Sequence, residues 1–152
     1  MQNLTLKSEL KFNSDSDRID LIEALKAERT AFNICSQIHF GKVKNSIVEL
    51  HADCYDKIRY SNPEIKSQLI IKAENNCLSA YKSIKSNKHK LTKPIEKKRL
   101  STRYDARLST YSEGIFRLTT LKKRVEARPV MYDRLKTYLS KYKFGDILLY
   151  SD

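Results

Sequence analysis

Apolar positions alternate with polar ones at the start of the chain. In "LTLKSELKF" (Leu4–Phe12), Leu4, Leu6, Leu10 and Phe12 fall on one side and Lys7, Glu9 and Lys11 on the other, the signature of a half-buried strand. After the polar cluster "NSDSD" the period lengthens to three and four residues. Ser14 and Ser16 are N-cap candidates, and acids occupy the first turn. A helix is predicted from there to about Phe40, with Ile22, Leu25, Phe32, Cys35 and Ile38 on its apolar side and Gly41 as its stop. A second helix is expected over Ser46–Tyr60, carrying Ile47, Leu50, Cys54, Tyr55 and Ile58. "SNP" then offers a cap and a proline at the first helical position, which predicts a third helix over Pro63–Ser86 through Ile65, Leu69, Ala73, Cys77, Ala80 and Ile84.

"SNKHKLTKP" (Ser86–Pro94) reads as a polar, basic linker, and beyond it the pattern returns to that of strands. Tyr104, Ala106 and Leu108 alternate. Ile115, Phe116 and Leu118 form the next run after a turn at "SEG", and Leu121 and Val125 belong to another. "DRLKTYLSKYK" (Asp133–Lys143) predicts a short amphipathic helix, and "FGDILLY" (Phe144–Tyr150) a final strand. A first strand so far from the others is best placed by pairing it with the later sheet. The expected fold is therefore α+β: a small antiparallel β-barrel with an inserted three-helix bundle. Its parts would be a first barrel strand over 1–13, the helical insertion over 14–90 and the remaining, basic barrel strands over 91–152.

Charge sharpens this division. The 152 residues carry a net charge of +12, yet residues 1–81 hold 11 Lys and Arg against 11 Asp and Glu. Residues 82–152 hold 19 against 7, so the whole excess lies in the strand-rich part. Such segregation favours a polyanionic partner, nucleic acid before membrane. No apolar run approaches the roughly 20 residues needed to span a bilayer, and the N-terminus lacks the pattern of a signal peptide. Cys35, Cys54 and Cys77 are widely spaced and each lies on an apolar helical stripe. They read as buried packing residues in a reducing, cytoplasmic setting.

Catalytic chemistry finds no support in the sequence. His39, His51 and His89 make no metal-ligand spacing with the cysteines, and three glycines leave no phosphate loop. No nucleophile motif is present. The acids Asp15, Asp17 and Asp20 at a helix start are better explained by the helix dipole. No catalytic residue, metal or cofactor is expected.

Cations held in register on a sheet suit phosphates. In "RYDARLSTY", Arg103 and Arg107 would share one strand face, opposite Tyr104, Ala106 and Leu108. Arg117, Lys122, Lys123, Arg124 and Arg128 would extend the basic surface on neighbouring segments. Tyr111 and Phe116 could offer faces to unpaired bases, although each taken singly fits a core position better. Gln68, Lys72 and Lys82 on the helical block are further candidates for contact with a DNA edge.

The segment "RYDARLSTYSEGIFRLTTLKKRVEARPV" resembles the WED region of TnpB-type proteins, the OrfB products of bacterial insertion sequences. That family shows a pattern like I-R-Y-D-x-R, a short loop, then V-S-L-x-T-L-x-x-R-V-x-V-P. Arg103, Tyr104, Asp105 and Arg107 match its first part, and Leu118, Thr120, Leu121, Arg124 and Val125 its second. "FGDILLY" is similar to the G-x-A-D-L-V-Y strand that precedes the family's RuvC-like nuclease domain. Upstream, "AFNICSQIHF" (Ala31–Phe40) resembles the first-helix segment. Tyr55, Arg59, Pro63, Ser67, Gln68, Ala80, Tyr81 and Lys82 resemble the following helices.

The resemblance implies a WED-like barrel carrying a REC-like helical insertion. It implies binding of a guide-type RNA encoded by the mobile element, and of double-stranded target DNA. The family's catalytic acids have no counterpart in this chain, so no cleavage activity is carried over. The chain would then be either a shortened transposase-associated product or a stand-alone binder, associating with a separate nuclease lobe or with a second copy of itself. The competing class is a protein–protein module whose basic half meets an acidic partner.

Overall fold

The computed structural model describes residues 4–42 and 46–151. In chain order the elements are β1 (Leu10–Phe12), α1 (Asp15–His39), α2 (Ile47–Ser61), α3 (Ser67–Ser86), β2 (Leu100–Tyr104), β3 (Ser109–Ser112), β4 (Ile115–Thr119), β5 (Arg124–Pro129), α4 (Asp133–Lys141) and β6 (Ile147–Ser151). The architecture is α+β with antiparallel sheets. No helix of the described residues is long and apolar enough to cross a membrane.

The first two helices begin where their caps dictate. The Ser14 hydroxyl accepts the Asp17 amide at 3.2 Å, and the Ser46 hydroxyl accepts that of Glu49 at 3.4 Å. The third helix begins at Ser67, four residues after the expected proline start. Ser61 still belongs to α2, and the Asn62 side chain accepts the Glu64 amide at 3.2 Å, making a local turn that competes with helix. Ile65 is driven into the core, and the Arg59 guanidinium binds the carbonyls of Pro63 and Ile65. These contacts hold residues 62–66 as an irregular corner.

α1 is the spine of the molecule. One side packs on α2 and α3, and another reaches β2 and β5. Its buried Leu21, Leu25, Phe32 and Cys35 join Leu50, Ile58, Leu69 and Ile70 of the helices and Tyr104, Leu118 and Val125 of the sheets in one apolar cluster. Burying such side chains contributes roughly 1.5–3 kcal/mol each. Cys35, Cys54 and Cys77 are fully buried free thiols on three facing helices. Contact with Cys54 and burial push the Cys35 thiol up, and burial pushes that of Cys77 up to about 12, so both stay protonated.

Two carboxylates are sunk into this core with partners. Glu28 receives hydrogen bonds from Thr102 Oγ1 at 2.8 Å, from Asn76 Nδ2 at 3.2 Å and from the Lys97 ammonium. It thereby ties α1 to α3, to the linker and to β2. Glu74 pairs with His51 Nδ1 at 2.9 Å; burial raises its carboxyl above the usual range even though His51 pulls the other way.

The strands form two sheets. One has the order β1–β5–β4–β3 and the other pairs β2 with β6, all antiparallel. As the sequence suggested, the first strand joins the later sheet: Leu10 lies opposite Pro129 and Phe12 opposite Ala127. The ladder of β1 is only three residues long, and its approach is held by the Ser8 hydroxyl on the Val130 carbonyl at 2.7 Å. Among the described residues, no ladder joins the two sheets into a closed barrel. They meet instead through side chain and turn. The Tyr104 hydroxyl donates to the Thr119 carbonyl at 2.7 Å, and the Thr119 amide to the Leu108 carbonyl at 2.9 Å.

Candidate nucleic-acid interface

Alternation along β4 and β5 sends Phe116, Leu118, Val125 and Ala127 into the core. The same alternation must place Arg117, Arg124, Glu126 and Arg128 on the outer face. The β1 ladder adds Lys11 directly opposite Arg128. Like charges facing each other across a ladder are destabilising, and here both remain exposed. Arg117 is the neutralised member of the set, 3.4 Å from Glu126 and bonded to Ser112 Oγ at 2.8 Å. Arg128 donates to Asn13 Oδ1, and Arg124 to the Arg107 carbonyl, both at 2.8 Å. Among the described residues neither has a carboxylate partner.

Arg124, Lys122 and Lys123 make a cationic corner at the end of the sheet, and Arg124 also bonds the Arg107 backbone carbonyl. Arg107 does not share a strand face with Arg103. β2 stops at Tyr104, and residues 105–108 turn, because Asp105 accepts the Arg107 amide at 2.9 Å and its own carbonyl takes the Leu108 and Ser109 amides. Arg107 is exposed in this turn, its backbone carbonyl bonded by Arg124, while Arg103 stays exposed on the separate β2–β6 sheet, opposite Leu148. Lys122 and Lys123 occupy the β4–β5 turn, whose shape is set by the buried Thr120 hydroxyl bonding the Lys122 amide at 3.2 Å. Both ammonium groups point toward the start of α1, at 3.5 Å from Asp20 and 3.9 Å from Asp17. The lysines are over 70% exposed and their distances are long, so the pairs contribute little, although Asp20 and Asp17 are themselves only 15% and 16% exposed.

The remaining candidates separate. Lys72 is mostly buried and held by Asp105 at 3.3 Å. Burial opposes ionisation of Asp105, but the Arg107 amide and the Lys72 ammonium outweigh it and hold the carboxyl below its ordinary value. Gln68 is half-buried near the start of α3, and Lys82 is exposed toward its end. Phe116 is buried, and Tyr111 is flanked by Phe116 at 4.7 Å and stacked on Phe144 at 5.4 Å between centroids. Its ring face is already occupied by protein.

The structure adds residues that the pattern did not single out. A cleft of about 450 Å³ opens between the 62–66 corner and the β4–β5 turn. Lys122 lines one side, and Arg59, Lys66 and Ser67 the other, with Glu64 as its acid. The N-terminus of α3 opens here without a side-chain cap and without an acid in its first turn, which leaves its positive end uncompensated. A second cleft, of about 410 Å³, lies beside the basic linker and is lined by Lys42, Lys85, Lys88 and Lys90 among others. Lys11 lies opposite Arg128, 117 residues away, and Lys66 shares the cleft with Lys122, 56 residues away, as well as with nearby Arg59.

Among the described residues no group of three or more His, Cys, Asp or Glu is placed to hold a metal ion. Comparison with family models and with curated proteins finds no match to this chain.

Proposed function

We propose that this chain is a nucleic-acid-binding module that grips structured RNA along its cationic corner. The observation that carries the reading is the grouping of Lys122, Lys123 and Arg124 at the β4–β5 turn, with Arg124 bonded to the Arg107 backbone, beside a cleft that Lys122 shares with Arg59 and Lys66. Asp17, Asp20 and Glu64 lie among these cations, but the cations outnumber them. Phosphates spaced along a duplex would meet Arg124 and Arg128 on the sheet, then the β4–β5 turn, then the positive end of α3. The two weak lysine–aspartate pairs are easily exchanged for phosphate contacts.

The finer reading follows the resemblance to TnpB-type proteins. The two sheets, closed over by α1, would be a WED-like barrel, and α1–α3 a REC-like insertion. The RNA would be of guide type, with double-stranded DNA met from the helical side. The chain would hold nucleic acid without cleaving it, the chemistry belonging to a separate nuclease lobe.

Purified chain freed of co-purifying nucleic acid should bind a structured RNA hairpin. Replacing Lys122, Lys123 and Arg124 together by Ala should weaken that binding by about tenfold or more. Thermal stability should change little, since surface substitutions usually shift it by under about 0.5 kcal/mol each. Unchanged affinity in the folded variant would overturn the reading. Capture of an acidic protein partner that survives nuclease treatment, with no RNA bound, would replace it by the adaptor class.

A further inference from the structure

The chain has nine tyrosines and no tryptophan. The aromatic residues of β3 and β4 are covered by Phe144 and by the core, so they offer no open stacking surface. An open one lies on α4. Arg134 and Tyr138 lie four residues apart on one side of α4, and Tyr142, four residues further on, is the extended residue that caps the helix end. The Arg134 guanidinium is 5.7 Å from the Tyr138 ring centroid. The Tyr138 and Tyr142 rings stack at 5.2 Å with 21° between their planes. Tyr142 ends this ladder and is 64% exposed.

Its surroundings are cationic. Lys141 and Lys143 flank Tyr142 in sequence, Lys136 is exposed, and Asp133 is the single acid from 133 to 143. Leu135 is the buried residue of α4, so the ladder is not core filling. A tyrosine pair at this spacing adds only about 0.2–0.5 kcal/mol to a helix. That gain requires neither an open terminal ring nor lysines on both sides of it.

We infer that the Tyr142 end of the α4 ladder is a stacking platform for an unpaired base of single-stranded RNA. The base extends the ladder by one layer, and the adjoining phosphates meet Lys141 and Lys143. Stacked aromatic layers suit this role because every base has a π face, and the Arg134 cation polarises the far end of the stack. The inference rests on the RNA-binding reading above and gives unpaired RNA a separate place from the duplex-holding corner.

The test compares two probes, a labelled single-stranded oligouridylate and a fully paired RNA hairpin, on the full chain. Tyr142→Ala should weaken oligouridylate binding by about tenfold and leave hairpin binding within about twofold, because a single base–aromatic stack is worth roughly 1–3 kcal/mol. Tyr142→Phe, which keeps the ring, should bind both probes as the parent does. Tyr142→Trp provides a second readout: its emission should be quenched by the oligouridylate and not by the hairpin. Equal losses on both probes, or no loss on the single strand, would overturn the platform while leaving the duplex-binding corner standing. A parent chain that binds neither probe would overturn both.

Discussion

Glu28 shows how a single side chain can decide whether the helical and strand-rich parts stay together. It is fully buried, yet its two oxygens satisfy donors from α3, from the linker and from β2. Lys97, its cationic partner, is only 15% exposed. Removing one member of such a pair leaves the other charge stranded, a loss of about 3–5 kcal/mol. Glu28→Ala is therefore expected to lower the denaturant midpoint sharply, whereas Glu28→Leu combined with Lys97→Met should recover much of the loss. If Glu28→Ala unfolded at the parent midpoint, the hub would not be holding the two parts. Nothing in the sequence marks this residue. It sits on the apolar side of a helix, where a glutamate reads as an interruption, and its partners lie 48 to 74 residues away.

Elements with local causes were legible from the residues, and those with distant causes were not. α1 and α2 start at their serine caps, and Leu25, Phe32, Cys35, Leu50, Cys54 and Ile58 are buried as expected, but Ile47 is exposed and Ile22 and Ile38 only partly buried, while Leu21, Ala24 and Ala31 fill the core instead. α3 begins at Ser67 rather than at Pro63 because the Asn62 turn and the Arg59 clamp outcompete the proline signal. The strand expected across Arg103–Leu108 is broken by the Asp105 turn, which leaves Arg107 in the turn, between the two sheets. By contrast, the β3–β4 hairpin is written in its turn. Glu113 and Gly114 have φ of 53° and 77°, the left-handed pair of a type I′ connection between Ser112 and Ile115. A Cβ at Gly114 would meet nothing within 4 Å, so Gly114→Val should act through backbone strain alone. The expected cost is about 1–2 kcal/mol, read as a lower melting temperature with RNA binding retained. A variant as stable as the parent would show that this turn does not set the register. The candidate site was legible only in part. The run Lys122–Arg124 stands out in the sequence, but its junction with Arg107 and with the Arg59–Lys66 cleft needs the register and the corner.

The molecule as a unit places its net charge of +12 on a scaffold that fixes where the charge sits. α1 braces both sheets, the β4–β5 turn and the α2–α3 corner enclose a cationic cleft, and α4 carries an aromatic ladder on its outside. That arrangement makes ionic strength the most direct probe of the central claim. Each phosphate neutralised contributes roughly 0.7–0.9 to the slope of log K against log salt. Hairpin RNA titrated over a range of salt concentrations should give a slope several units in magnitude, and the Lys122, Lys123 and Arg124 to Ala variant a slope smaller by about two. A flat titration, or a variant whose slope matches the parent's, would contradict the account.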